Sequence, residues 1–149
     1  MDVATLMFIA YRAMDERVIR AIREAGFDVT VAQAHLAQRI ADDGSRLTDL
    51  AEQAQVTKQT ASLLVAALEE TGLVERVPDP TDGRARLIRF TRKGQVARER
   101  ARDVVTGVER EWNDHLGADL AASLREALHK LREITDPYLD EAGRPAELP

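Results

Sequence analysis

Two short stretches of this 149-residue sequence carry side chains that could contact a polyanion. The first stretch offers hydroxyl, amide and ammonium groups in the first turn of a predicted helix: Thr57, Lys58, Gln59, Thr60 and Ser62. The second is a pair of arginines, Arg84 and Arg86, next to a predicted turn. Hydroxyl and amide groups hydrogen-bond to phosphates or base edges, and a guanidinium reaches a phosphate or a narrow minor groove. The chemistry that these residues favour is therefore recognition of a nucleic-acid duplex.

Charge is distributed unevenly along the chain. The net charge is −5, yet residues 84–102 hold 8 basic residues against Glu99 alone, a local balance of +7. A dense basic block inside an acidic protein suggests one surface made for a polyanion. The alternative is a solvated charged helix face, which predicts mixed signs within the block.

The amino-acid composition indicates the fold class and excludes several other classes of protein. With 44% hydrophobic and 4% aromatic residues, one domain with a core of small aliphatic side chains and a mainly helical fold is expected. The absence of cysteine excludes disulfides, thiolate metal sites and cysteine nucleophiles. No apolar run approaches the roughly 18 residues of a membrane span, and the N-terminus lacks a basic signal-peptide flank, so we expect a cytoplasmic protein.

Six helical patterns and one hairpin position the polar residues. Apolar spacing predicts a first helix that ends near Gly26 and a second from Val29 to Ile40. Two short helices follow, joined by Gln55-Val56. Thr57 is predicted to cap the second of them and Gly72 to end it, because a hydroxyl accepts an orphan N–H and glycine tolerates positive φ.

A hairpin is predicted after Gly72. Leu73–Val77 and Arg86–Phe90 are rich in β-branched and aromatic residues, and they flank Pro78–Gly83, whose composition predicts a turn with a long, charged tip. Thr91 is predicted to cap a fifth helix, which Gly117 ends.

A sixth helix is predicted to run from Leu120 until Pro137 closes it. The tail from Glu141 is expected to be loose.

Two short helices followed by a basic hairpin indicate a mainly α fold with a small β-hairpin wing, a winged helix-turn-helix. We expect a single domain over 1–149, with the DNA-binding lobe at 29–91, its recognition helix at 57–71 and its wing at 73–90. The apolar helices at 1–26 and 103–140 are expected to form a dimerisation region, although they could instead fold into a monomeric bundle.

Each candidate residue also has a purely structural interpretation. Thr57 could act only as a helix cap, and Lys58 and Gln59 could be ordinary exposed surface. Asp82 could pair with Arg84, and such a pair could either compete with DNA or orient the arginine.

Three motifs resemble a known family. They are the recognition-helix segment from Val56 to Gly72, the D-x-R wing signature in Asp82-Gly83-Arg84-Ala85-Arg86, and Phe90-Thr91-Arg92-Lys93-Gly94, which is similar to a Leu-Thr-x-x-Gly motif. With them the sequence resembles the MarR family of bacterial transcriptional regulators over most of its length. The resemblance implies a homodimer joined by its first, fifth and sixth helices, two lobes that straddle a pseudo-palindromic operator, and a repressor relieved by a small-molecule effector.

The sequence departs from the family at Leu63 and Ala67, where many relatives carry arginines. An exposed Leu63 is expected either to contact a thymine methyl group or simply to pack. Arg46 occupies the usual N-cap position of the preceding helix, which leaves Ser45 as a substitute cap.

Relatives often bind a small phenolic or other aromatic acid between the dimer helices and the DNA lobe. The polar aromatic candidates for such contacts are Tyr11, His35, Trp112 and His115. Each of them could equally be ordinary packing or surface.

An enzyme is not expected. The sequence has no Gly-rich phosphate loop, G-x-S-x-G or H-E-x-x-H, and Glu126-x-x-His129 forms only half of a helical di-iron site. We therefore expect no catalysis, no cofactor and no metal site. The remaining rival is a winged-helix module that binds a partner protein, which the low basic content of the recognition helix favours and the basic wing block opposes.

Overall fold

The computed structural model of the protein describes residues 1–136. In chain order its elements are α1 (Val3–Glu24), α2 (Val31–Ala37), β1 (Ser45–Arg46), α3 (Leu47–Gln53), α4 (Lys58–Glu70), β2 (Val74–Asp79), β3 (Asp82–Phe90), α5 (Arg92–Leu116) and α6 (Ala118–Thr135). The predicted mainly helical fold with a small β wing is confirmed. The predictions for Pro137 and for the tail from Glu141 lie outside the described residues.

The described residues divide into two compact units, one of Met1–Val105 and one that begins at Thr106. The first unit holds α1 to α4, the sheet and the start of α5, and the second holds the end of α5 and α6. None of the helices within residues 1–136 is long and apolar enough to cross a lipid bilayer.

The core of the first unit lies beneath α3 and α4. Leu50 of α3 and Ala61 and Val65 of α4 are completely buried, and Ile88 from β3 joins the same cluster. Leu64 packs against this cluster from a partly buried position. The helical spacing of these residues therefore identified the inward face of α4 correctly.

The ends of α3 and α4 are fixed by local hydrogen bonds. The Leu73 N–H donates to the Leu68 carbonyl and the Gly72 N–H to the Glu69 carbonyl, while Gly72 has a φ of 72°. This is the Schellman arrangement that a C′ glycine permits. At the end of α3, Gln55 takes the corresponding left-handed conformation with a φ of 54°. The tight turn that results sets the start of α4.

The sheet has three antiparallel strands in the order β1-β3-β2. β3 is central, since Ser45 of β1 pairs with Ile88 and Val77 of β2 pairs with Leu87. β1 was missed by the sequence analysis because two residues are too few to show a period-2 pattern.

The wing is a tighter hairpin than the sequence predicted. The strands extend to Asp79 and Asp82, which pair with each other, so that the turn itself is Pro80-Thr81 and is shorter than the predicted Pro78–Gly83. The regular pairing nevertheless ends at Pro78 and Arg86, because the register shifts beyond them. Pro78 is tolerated because β2 is an edge strand, where a missing N–H does not interrupt the sheet. Arg86 therefore lies on paired strand opposite Pro78, whereas Arg84 lies in a bulge of residues 83–85 that has no partner in β2.

Two smaller corrections concern helix starts. α2 begins at Val31 rather than Val29, because Thr30 and Gln33 form a capping box at its N-terminus. Ser45 is not the cap of α3, because its hydroxyl accepts from the Ala41 N–H and Arg46 occupies the cap position without a side-chain bond.

A close backbone contact joins the start of α5 to the end of α4. The Thr91 hydroxyl lies 2.6 Å from the Gly72 carbonyl oxygen, to which it donates, and it accepts from the Gly94 N–H at 3.1 Å. Thr91 is thus a cap of α5, as predicted. Gly94 lies against the Leu73 carbonyl so closely that a Cβ atom would overlap the oxygen and approach Phe90 Cδ1 to 2.9 Å.

Candidate nucleic-acid interface

The first turn of α4 exposes most of the polar side chains that the sequence analysis selected. Thr57, Lys58, Gln59 and Thr60 are exposed, and Ser62 is half-buried. Thr57 caps the helix, because its Oγ1 accepts from the Thr60 N–H at 3.1 Å. The same hydroxyl donates to Thr60 Oγ1 at 2.9 Å, which leaves the Thr60 hydroxyl hydrogen available for an external acceptor.

The middle of the exposed face of α4 is apolar. Leu63 is 67% exposed, Ala66 is exposed and Ala67 is half-buried. Leu63 therefore does not pack into the first unit, which removes one of its two sequence-based interpretations. Lys58 is the only cation that α4 contributes.

The predicted wing arginines are exposed on β3. Within residues 1–136, the guanidinium groups of Arg84 and Arg86 have no hydrogen bond or ion pair. Asp82 Oδ1 accepts from the backbone N–H of Arg84 at 3.1 Å, and Asp82 Oδ2 lies 3.9 Å from Arg46 Nη2. Asp82 thus contacts the Arg84 backbone rather than its side chain, and its role in orienting the wing stays a prediction.

Half of the basic block of residues 84–102 is already engaged inside the first unit. Arg89 Nε donates to Glu75 at 2.8 Å, Lys93 donates to the Thr71 carbonyl, and Arg98 and Arg102 pair with Asp42. Arg98 also lies 5.3 Å above the Phe90 ring. Over the described part of the chain, the members of the block without such a partner are Arg84, Arg86, Arg92 and Arg100. The charge available to a polyanion is therefore concentrated in fewer side chains than the sequence count suggests.

One buried carboxylate anchors the tip of the wing. Asp79 is 6% exposed, and its Oδ2 accepts from Arg46 Nε at 2.9 Å and from Arg46 Nη2 at 2.6 Å. Its Oδ1 accepts from the Thr81 N–H at 2.8 Å and from the Thr81 hydroxyl at 2.7 Å. The pair ties the wing to the start of α3. Sequence reasoning missed it because Arg46 and Asp79 are 33 positions apart; the one available sign was an arginine at a helix cap.

These bonds change the ionisation of both groups. The two Thr81 donors, followed by Arg46, lower the pKa of Asp79 from 3.8 to about 2. Asp79 in turn raises the pKa of the Arg46 guanidinium. Because the pKa of Asp79 is depressed in the folded state, its contribution to stability is full above about pH 4 and is lost as the pH falls towards 2.

An Asp79→Asn variant is expected to be less stable than the wild type at pH 7, because the amide presents N–H groups to Arg46 or to Thr81. Between pH 4.5 and pH 2 the wild type should lose more unfolding free energy than the variant, since asparagine does not titrate. Urea denaturation at several pH values measures this difference. Asp43→Asn provides the control for net charge, and parallel pH profiles of wild type and Asp79→Asn would contradict the expectation.

The four candidate ligand contacts fall into the two units. In the first, Tyr11 Oη lies 3.2 Å from His35 Nε2, which lies 3.0 Å from Asp15 Oδ1. Partial burial, followed by the Asp15 charge, raises the pKa of Tyr11, so its phenol is protonated at neutral pH. In the second, Trp112 lines a groove of about 280 Å³ together with Leu124 and Leu128, whereas His115 is exposed and outside that lining. Among residues 1–136 no three acidic or histidine side chains form a metal-binding group.

The packing of α3 and α4 with a three-stranded sheet defines a winged helix-turn-helix protein. A model of the MarR family matches residues 27–85. The chain is 30% identical over 105 residues to the transcriptional regulator HosA of Escherichia coli O111:H-, a match that covers 70% of this chain and 78% of HosA.

Solved structures show the same fold. The transcriptional regulator Tm0710 from Thermotoga maritima superposes with a TM-score of 0.62 and 26% identity, covering 89% of this chain and 92% of that one. A mutant MarR from Escherichia coli complexed with operator DNA superposes with a TM-score of 0.66 and 24% identity, covering 87% of this chain and 92% of that one. The chain belongs to the MarR family of transcriptional regulators, as its motifs predicted. Its relatives are regulators, so it is not an enzyme.

Proposed function

We propose that the protein is a homodimeric repressor that binds a pseudo-palindromic operator through α4 and the wing, and that a small-molecule effector relieves repression. The observation that carries the DNA contact is the pair of exposed arginines on β3, Arg84 and Arg86, whose guanidinium groups have no partner within residues 1–136. A guanidinium in this state can pair with a phosphate or enter the minor groove without first breaking an ion pair.

The helix that would enter the major groove is α4. Its outward side carries the exposed Lys58, Gln59 and Thr60, while its opposite side is fixed in the core by Ala61 and Val65. A helix held in this way presents its first turn to base edges and phosphates. The mutant MarR that superposes on this chain is bound to operator DNA, which supports the same use of the fold here.

Dimer formation is supported by apolar side chains that the protomer leaves in solvent. In α1 the exposed members include Leu6, Met7 and Phe8, and in α6 they include Leu124 and Leu128. Large exposed apolar patches mark interaction surfaces. A two-fold dimer would cover such patches and bring two recognition helices to a spacing of about 34 Å, one turn of B-DNA.

The proposed effector is a small aromatic or phenolic compound. The Tyr11–His35 pair offers a hydroxyl and an imidazole, and Trp112 offers a stacking surface in its groove. An effector at either place changes DNA binding only if it has different affinities for the DNA-competent and incompetent forms. Because operator DNA lies in the bacterial cytoplasm, the proposal assigns the protein to that compartment.

The alternative function is a winged-helix module that binds a partner protein. The exposed Leu63 and the single cation of α4 favour it, because apolar side chains are frequent at protein interfaces. Selection of bound sequences from random duplex DNA with the purified protein, followed by fluorescence-anisotropy titration, distinguishes the two functions. Enrichment of a two-fold-symmetric site bound by a dimer supports the regulator, and failure to enrich any sequence favours the partner protein.

Arg84→Ala is expected to weaken binding to the selected operator by about 1–3 kcal/mol, because one cationic contact is lost in each protomer. The matched control is Arg89→Ala, which removes an arginine of the same strand whose guanidinium is already paired with Glu75. Titrations at one fixed salt concentration compare the two variants. Equal affinities of Arg84→Ala and wild type would remove Arg84 from the contact surface.

A further inference from the structure

Leu63 lies at the centre of the outward face of α4 and is 67% exposed. The geometry points to a role for it in sequence recognition: Leu63 contacts the C5-methyl group of a thymine in each half of the operator and so sets part of the sequence specificity. This inference rests on the DNA-binding function proposed above and concerns which base the helix reads.

The core of the first unit makes no use of this side chain. Ala61, Val65 and Leu68 of the same helix are at most 1% exposed and form its inward face. Leu63 lies between these positions on the other side, four residues after Gln59 and three before Ala66, both of which are exposed. Residues at this spacing share one face of a helix. The face that would enter the groove therefore has a polar first turn and an apolar centre.

The chemistry of the major groove leaves few partners for such a centre. Base edges there present hydrogen-bond donors and acceptors, and the thymine methyl is the apolar group among them. A leucine placed against a donor or acceptor would remove water from that group without replacing its hydrogen bond, which is unfavourable. Placed against a thymine methyl, it removes apolar surface from water on both sides. The small side chain of Ala66 allows the helix to approach closely at this point.

The charges around Leu63 favour DNA over an apolar protein partner. The same unit presents Lys58 at the start of α4, and Arg84 and Arg86 on the wing have no partner within residues 1–136. An exposed apolar residue in a unit that also presents cations and hydrogen-bonding side chains fits a duplex, in which methyl groups lie between phosphate chains.

The test replaces each thymine of the selected operator, one at a time, with deoxyuridine, which lacks only the C5-methyl group. For the wild type, replacing one particular thymine in either half-site should lower the operator affinity about fourfold. Replacing the two symmetric thymines together should lower it about fifteenfold. For Leu63→Ala the same replacements should have no effect. Val96→Ala, which shortens another exposed aliphatic side chain, is the control and should keep the wild-type pattern.

A second measurement tests whether a substitution of Leu63 changes which base pair is selected. Leu63→Arg should shift the selected base pair at that position from T·A to G·C, because a guanidinium binds the O6 and N7 atoms of guanine. Denaturation curves of both Leu63 variants should match that of the wild type, since the side chain has no role in the core.

The outcomes distinguish this inference from the function on which it rests. If the operator is bound but no deoxyuridine effect depends on Leu63, the assignment of Leu63 is overturned and the DNA-binding function stands. If the wild type enriches no duplex, the DNA-binding function fails, and the thymine contact fails with it.

Discussion

Gly94→Ala is expected to lower the free energy of unfolding by about 3 kcal/mol, the upper part of the usual range for overpacking. A Cβ atom at this position would overlap the carbonyl oxygen of Leu73 and lie 2.9 Å from Phe90 Cδ1. The carbonyl belongs to the backbone and cannot rotate away, so α5 would have to move relative to the end of α4. That movement would also stretch the bonds that Thr91 makes to Gly72 and Gly94.

The matched control is Gly107→Ala in the same helix. Apart from its chain neighbours and the backbone of its own helix, no described heavy atom lies within 4 Å of a Cβ at Gly107, so alanine should stabilise α5 there by about 0.5–1 kcal/mol. Urea denaturation followed by circular dichroism gives both values. Since domains of this kind have only about 5–15 kcal/mol of stability, the Gly94 effect should be conspicuous, and equal midpoints for Gly94→Ala and wild type would refute the proposed contact.

Operator affinity is expected to fall about 10³-fold when the salt concentration rises from 50 to 200 mM. Each protomer offers Lys58, Arg84 and Arg86 as cations without internal partners in the described part of the chain. If a dimer neutralises about six phosphates with them, the slope of log K against log salt is about −5. This loss exceeds that expected for any single substitution in the interface.

Anisotropy titrations at four or five salt concentrations give the slope directly. Lys58→Gln removes one charge from each protomer and should make the slope about 2 less negative. Arg98→Gln is the comparison, because Arg98 is already paired with Asp42 and stacked on Phe90 and should leave the slope unchanged. A salt-independent affinity would contradict the phosphate contacts and favour the partner-protein alternative.

The sequence was most informative where structure is determined by neighbouring residues. Thr57 and Gly72 define the ends of α4 through bonds to residues three to five positions away, so that both ends could be predicted. The inward face of α4 could be predicted for the same reason, because its apolar residues recur at helical spacing.

Features that depend on residues far apart in the chain could not be predicted from the sequence. β1 exists because Ser45 and Arg46 meet β3 more than forty positions later, and the tight wing tip depends on Asp79, which is held by Arg46. The exposure of Leu63 was ambiguous for a similar reason, since another element could have covered it. The candidate interface was thus predicted by residue type, whereas the separation of paired from unpaired arginines required the structure.

The hydrogen bonds of the Asp79 carboxylate also affect the strength of DNA binding. Its two oxygens accept four hydrogen bonds, two from Thr81 and two from Arg46, so the hairpin is ordered before any duplex arrives. The conformational entropy lost in ordering this segment belongs to folding and does not weaken the complex. A preorganised wing of this kind can vary its arginines, and hence its preferred sequence, without having to re-establish its shape.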